Sequence, residues 1–324
     1  MKFLVIGDIH YTLRNPKARK DDYHLAIEAK LTEAADIAKD HKVEAVLIPG
    51  DLFDSPTVSL VAITRLAAML KKFPCPIYTI PGNHDSHGHN LSTIDRTPYG
   101  LLKGLGLIEC LHYPIASKLE GVIITGHGFD TETDRSVEQY KTYISPGKNV
   151  RIHLVHGMLL DSSPGFDMRH TLVSQIGEMP KKDSPDILVC GHYHLGLSSQ
   201  LIGDTLVVNP GALCRISAHQ EEVERTPQVA ILEVSEEGDC DVSFLALQSA
   251  LPGHEVLSRE HIEAQQQRSE QMEKFLKLLA SEGESRFLEV GEIIEDISAR
   301  EELPEEVKDD ALARIGRAKE GMSV

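Results

Sequence analysis

Residues 43–55 read Val-Glu-Ala-Val-Leu-Ile-Pro-Gly-Asp-Leu-Phe-Asp-Ser: an apolar run, AVLI at 45–48, that ends in Pro-Gly and empties at once into carboxylates. A short unbroken apolar run bounded by turn residues is the pattern of a strand buried on both faces, as in parallel sheets. The same layout recurs on either side. Upstream, FLVI (3–6) runs into Gly7-Asp8-Ile9-His10, and downstream IYTI (77–80) runs into Gly82-Asn83-His84-Asp85. Between these runs lie amphipathic helical stretches at 22–41 and 57–72. This alternation is the rhythm of βαβ units, and open α/β sheets place their ligand sites beyond the C-terminal ends of the strands.

Further candidate strands follow at 122–125, 151–155, 187–190, 205–208, 229–234 and 242–247. Helices thin out from about residue 120, which predicts a mixed or antiparallel second sheet. Two of these strands again end in polar clusters, His156-Gly157 and Gly191-His192-Tyr193-His194. A chain of 324 residues exceeds the usual single-core size. Composition changes near Pro252: residues 251–324 hold 18 acidic and 10 basic side chains, with helical patterns near 258–281 and 304–320. The expected organisation is a domain at 1–250 and an acidic helical appendage at 251–324.

With 41% apolar and 26% charged residues, global disorder is excluded. The absence of Trp and an aromatic content of 5% speak against a surface that stacks bases on rings. A net charge of −17 argues against binding nucleic acid or membranes through overall charge. An anionic substrate therefore needs a local positive charge, which a divalent cation would supply. Five scattered cysteines with no C-x-x-C pair suggest neither disulfides nor a thiolate zinc site, and point to a reducing, cytoplasmic compartment. The N-terminal apolar run is too short for a signal peptide, and no uncharged stretch is long enough to cross a bilayer, so no membrane association is expected.

Taken singly, each polar cluster reads as an ordinary turn or cap. Five of them at strand ends, all built from Asp, Asn and His, read together as a two-metal site. Two close divalent cations need a shared anion to relieve their repulsion, and Asp51 is the natural bridge. Imidazoles and carboxylates without thiolates suit manganese, iron or zinc better than magnesium or calcium. Water held between such cations loses a proton near neutral pH and becomes a nucleophile.

The ordered set G-D-x-H, G-D-x-x-D, G-N-H-D, H-G and G-H-x-H, spanning residues 7–194, resembles the calcineurin-like metallophosphoesterase superfamily. That resemblance implies an α+β fold, a two-sheet β sandwich flanked by helices in α/β/β/α layers. It implies two divalent metals, manganese first, one held by Asp8, His10, Asp51 and His194 and the other by Asp51, Asn83, His156 and His192. It further implies that His84 is no ligand but faces the phosphate, stabilising transition-state charge or protonating the leaving oxygen, and that Asp54 orients His84 by a hydrogen bond. Asp85 receives no task.

Protein phosphatases of the superfamily carry an Arg after G-D-x-x-D and usually G-N-H-E, where this chain has Ser55 and Asp85. The spelling G-D-L-F-D-S, a helix-rich insert after G-N-H-D and a helical extension are instead similar to SbcD-type DNA repair nucleases, in their smaller bacterial or phage forms. This implies phosphodiester hydrolysis on DNA by a metal-bridging hydroxide, with both exonuclease and endonuclease action. The alternative is a phosphodiesterase or phosphatase for small nucleotides. A non-catalytic binding subunit is disfavoured, since all seven expected ligands and His84 are present. The apolar segments 57–72 and 91–107 read first as core, and by the same resemblance would pair two subunits; the appendage either packs on the domain or, the favoured reading, docks an SbcC-like coiled-coil ATPase. Arg14, Lys17, Arg19 and Lys20 admit two readings, phosphate contact or a solvated basic loop. So does the segment 164–170, which either shapes a substrate cleft or is ordinary surface. His87, His89, His127 and His153 are read as structural.

Overall fold

The computed structural model describes residues 1–260, positions 268, 271–272, 294 and 298, and residues 304–321. In the first sheet, β1 (Lys2–Val5), β2 (Ala45–Ile48), β3 (Ile77–Thr79) and β4 (Glu109–Cys110) run parallel, with β13 (Gln228–Val234) and β14 (Cys240–Ala246) antiparallel beyond β1. The second has the order β11-β12-β10-β7-β6-β5, from β5 (Ser117–Leu119), β6 (Val122–His127), β7 (Val150–Gly157), β10 (Ile187–His192), β11 (Leu197–Ile202) and β12 (Thr205–Asn209). Its four inner strands are parallel and its edges antiparallel. A small pair, β8 (Leu159–Leu160) and β9 (Thr171–Leu172), stands apart.

Alternation along each strand builds the layers. In β1, Phe3 and Val5 face the second sheet and meet Ile152, Leu154, Ile187 and Val189, while Leu4 packs on the opposite side. That opposite side is covered by α1 (Tyr23–Asp40), which buries Tyr23, Ile27, Leu31, Ala34 and Ala38 at three- and four-residue spacing, and by α2 (Leu60–Leu70). Val155, Leu188, Cys190 and Val207 on the outer face of the second sheet pack against Val173 and Ile176 of α4 (Val173–Gly177). The result is the expected α/β/β/α sandwich. The stretch 91–107 is divided between a 3-10 turn, Leu91–Arg96, and α3 (Pro98–Gly104), capped by the Thr97 side chain.

Contacts divide the chain into Met1–Arg259 and Glu260–Val324. The first unit therefore runs past 250. The reason is packing: after α5 (Gln220–Glu224), α6 (Gly253–Val256) returns to the domain, burying Val256 and Leu257, and Leu257 bridges to Arg19. The helical pattern at 304–320 forms α7 (Glu305–Gly321), whereas the pattern at 258–281 lies almost wholly outside the described residues. No helix among the described residues is long and apolar enough to cross a membrane.

His153 has a structural role. It is buried in β7, with Nδ1 2.8 Å from the Thr125 hydroxyl and Nε2 2.9 Å from the Gln139 carbonyl. Burial pushes its imidazole down to about 4. Against an unfolded value of about 6.5, this stabilises the fold fully above pH 6.5 and is lost as pH falls from there through 4; the difference is worth about 3 kcal/mol. His153→Gln keeps one donor and one acceptor but cannot titrate. Unfolding of the chelated variant should lose less stability than wild type between pH 6.5 and 4, and parallel curves would contradict the assignment.

Candidate metal centre

Parallel strands deliver their C-terminal ends to one edge, so β1, β2, β3, β7 and β10 bring all five polar clusters together. Asp8, His10, Asp51 and His156 are almost fully buried, at 2%, 1%, 0% and 0% exposure. Among the described residues, three groups of donors lie with their ligand atoms within 4.8 Å: Asp8 with His10 and His194, Asp51 with His156 and His192, and His10 with Asp51 and His84. Asn83 joins the second group, its Oδ1 2.8 Å from His156 Nε2. The seven expected ligands are thus assembled around Asp51.

The donor set fits cations. Asp51 Oδ2 is buried without a hydrogen-bond partner, 3.4 Å from His10 Nε2 and 3.3 Å from His156 Nε2. His10 Nε2 and His194 Nε2 face each other at 2.9 Å. Burial pushes His10 down to about 4 and His192 to about 3, which keeps both imidazoles neutral with lone pairs to offer. His156 goes the other way: burial opposes its charge, but Asp51 beside it raises it to about 10. A cation would give Asp51 the positive charge that protonated His156 otherwise supplies.

The backbone is bent to make these approaches. His10, Asp51 and His192 have φ of 47°, 51° and 78°, a left-handed region that costs non-glycine residues roughly 1–3 kcal/mol each and clusters at functional sites. Gly82 and Gly191 are required for contact distance. A Cβ on Gly82 would collide with the Asp51 carboxylate, and one on Gly191 would lie 2.6 Å from Asp8 Oδ1.

Supporting bonds fix the imidazoles. His156 Nδ1 donates to the Pro49 carbonyl at 2.7 Å, turning Nε2 to the site. His84 Nδ1 donates to Asp54 at 2.7 Å, through the main-chain carbonyl, while the Asp54 carboxylate lies 3.9 Å from His10 Nδ1. Asp85, without a task in the sequence, has one here. Its carboxylate accepts from the main-chain N–H of Gly82 (2.9 Å), Phe53 (3.3 Å) and Leu52 (3.4 Å), tying the second motif to the third. Burial, with the nearby Asp51 charge, pushes this carboxyl up to about 7.

A sixth loop escaped the sequence reading. After β12, Ala212 N–H donates to His194 O and Leu213 N–H to Asp8 O, both at 2.9 Å, and Asn209 Nδ2 bonds Tyr193 O at 3.1 Å. Asn209-Pro210-Gly211 repeats the layout of a strand followed by a polar, glycine-containing turn, and that was the available signal. Of the basic loop, Arg14 and Lys17 are exposed. Arg19 is buried, paired with Asp21 at 2.7 Å and bonded to the Arg215 carbonyl, so it holds the fold instead of meeting substrate. Segment 164–170 does shape a cleft: a cavity of about 610 Å³ beside His194 is lined by Pro164, Phe166, Met168 and Tyr193.

Three adjoining donor groups, two of them containing the buried Asp51 carboxylate, at the strand ends of a two-sheet sandwich, define a metal-dependent hydrolase with places for two divalent cations. The calcineurin-like phosphoesterase family matches residues 1–196, and the chain belongs to it. Similar proteins include the DNA double-strand break repair protein Mre11 of Methanosarcina mazei, 26% identical over 337 residues covering 99% of this chain and 51% of that protein. The Saccharolobus solfataricus Mre11 is 30% identical over 132 residues, 39% of this chain and 32% of its own. A probable cyclic nucleotide phosphodiesterase of Coxiella burnetii is 31% identical over 85 residues, 26% of this chain and 32% of that one. The chain therefore spans about a third to a half of the length of these relatives.

Proposed function

We propose that this protein is a cytoplasmic, SbcD-like DNA exonuclease and endonuclease of repair or recombination. The observation that carries the reading is the buried Asp51 carboxylate, common to a donor group with His156 and His192 and to one with His10 and His84. Likeness to an Mre11 protein along 99% of the chain supports DNA as substrate. Two divalent cations, manganese before iron or zinc, would be held by Asp8, His10, Asp51 and His194 and by Asp51, Asn83, His156 and His192, supplying Lewis acidity and an activated water. The chain's own residues orient the ester. With Nδ1 committed to the Asp54 carbonyl, His84 presents Nε2 to the phosphate, where its imidazolium form stabilises charge or protonates the leaving oxygen.

The cavity beside His194 receives the nucleoside next to the scissile phosphate. Phe166, 69% exposed at its rim, offers a ring for stacking. Phe166→Ala should raise KM for DNA about tenfold, the scale of one lost base–aromatic contact, and leave bis-p-nitrophenyl phosphate unaffected. An unchanged KM for DNA would remove Phe166 from the substrate path. Arg14 and Lys17, which are exposed, would meet strand phosphates in this reading. Leu60 and Val61 of α2, 77% and 58% exposed, support pairing of two copies, and the acidic appendage is assigned to docking an SbcC-like coiled-coil ATPase.

Manganese-dependent hydrolysis of end-labelled duplex DNA, with and without chelator, tests the reading. Chelator-sensitive DNA degradation supports it. Turnover of cyclic nucleotides with DNA left intact supports the second reading, a small-nucleotide phosphodiesterase, which Asp161, Glu221 and Glu222 on the cavity wall favour by repelling further phosphates.

A further inference from the structure

The excursion between β6 and β7 carries no motif, yet it closes over one half of the centre. Phe129 donates its N–H to the Pro81 carbonyl at 2.9 Å, and its ring lies 5.4 Å from that of His192 and 6.1 Å from that of His156. A few residues on, Asp130 and Thr133 lock a turn: Asp130 N–H donates to Thr133 Oγ1 at 3.0 Å and Thr133 N–H returns to Asp130 O at 3.2 Å. Thr133 is fully buried, so the turn is anchored and holds the next residue, Asp134, in place.

Asp134 has one oxygen committed and one aimed at the centre. Oδ1 accepts the Met158 N–H at 2.6 Å, which ties it to the chain just beyond His156-Gly157. Oδ2 lies 3.8 Å from His192 Nε2, in a pocket where the carboxylate side chain is only 10% exposed and the imidazole 19%. Two other histidines of the centre have an oxygen placed at the ring nitrogen turned away from Asp51: Pro49 O for His156 and the Asp54 carboxylate for His10. His192 has Asp134.

We infer that Asp134 is a positioning residue for the second cation site: it accepts the Nε2–H of His192 and so fixes the tautomer that leaves Nδ1 as the nitrogen with a free lone pair. The inference rests on the two-cation reading. A carboxylate behind a ligating imidazole sets ring orientation and raises ligand basicity, and its loss typically weakens metal binding tenfold to a hundredfold. Asp134→Asn is the informative change. Its Oδ1 still accepts from Met158, preserving the turn, while an amide replaces the charged oxygen facing His192.

Manganese titration of the full-length chain in a chelator-buffered series, read as bound metal per chain, is the experiment. Wild type should bind two cations. Asp134→Asn should bind the first with unchanged affinity and the second tenfold to a hundredfold more weakly, with an unchanged melting temperature in chelator. On a His192→Ala background, Asp134→Asn should have no further effect on metal binding, since it acts through that ring. Both steps retained at wild-type affinity, or equal additive losses on both backgrounds, would overturn the assignment. A wild-type chain that binds fewer than two cations would overturn the two-cation reading with it.

Discussion

Asp51→Asn should yield a folded protein that retains neither cation and hydrolyses bis-p-nitrophenyl phosphate at least about a thousandfold more slowly. Loss of a group that merely supports a ligand costs roughly tenfold to a hundredfold, and Asp51 is the residue that both proposed sites would share. Two divalent charges about 4 Å apart repel by roughly 16 kcal/mol at an effective dielectric of about 20, and an anion between them is what offsets this. A neutral amide is not one. The fold should survive, because an Asn oxygen still accepts the His84 N–H that Asp51 Oδ1 accepts at 2.9 Å. A second readout is independent of activity. In chelated protein the substitution removes the charge that holds His156 near 10 against its burial, so the His156 titration should move down in pH. Metal analysis, turnover and imidazole titration together check the assignment, and wild-type turnover would refute it.

That Asp51 could be singled out from sequence has a physical basis. Parallel strands are short apolar runs whose ends must leave the sheet at the same edge, so residues just beyond such runs converge in space whatever lies between them. Asp8, Asp51, Asn83, His156 and His192 were all legible by that rule. Shape beyond the strand ends was not. The strands β11 and β4 have neither a clean alternation nor a long apolar run, and the break of 91–107 at Thr97 depends on a cap and a proline within an otherwise helical pattern. Asp85 looked idle because its work is accepting backbone N–H groups from a loop more than thirty residues away, which no spacing reveals. Asp134 and Phe129 sit in irregular chain, where position is set by tertiary contacts alone. Arg19 fits neither of its two readings, phosphate contact or a solvated loop, because its guanidinium is consumed by Asp21 and the Arg215 carbonyl.

His84→Ala should keep both cations while lowering turnover of DNA by about a hundredfold to ten-thousandfold, the range for loss of a positioned acid or charge-stabilising group. The His84 ring lies close enough to His10 and Asp51 to hold a cation with them, so retention of metal decides its role. Two bonds argue that it is held back from that role. Its N–H anchors to Asp51 Oδ1, a contact alanine retains, and its Nδ1 is spent on the Asp54 carbonyl, which leaves Nε2 alone to act. If metal content falls with activity, His84 is a ligand and the division between ligands and catalyst fails. If metal is retained, the leaving group separates the two chemical roles. A group that protonates the departing oxygen matters little when that oxygen is p-nitrophenolate, so the defect should shrink on bis-p-nitrophenyl phosphate relative to DNA. One that only stabilises charge on the phosphoryl oxygens is needed equally for both, and the defect should then be the same on either substrate.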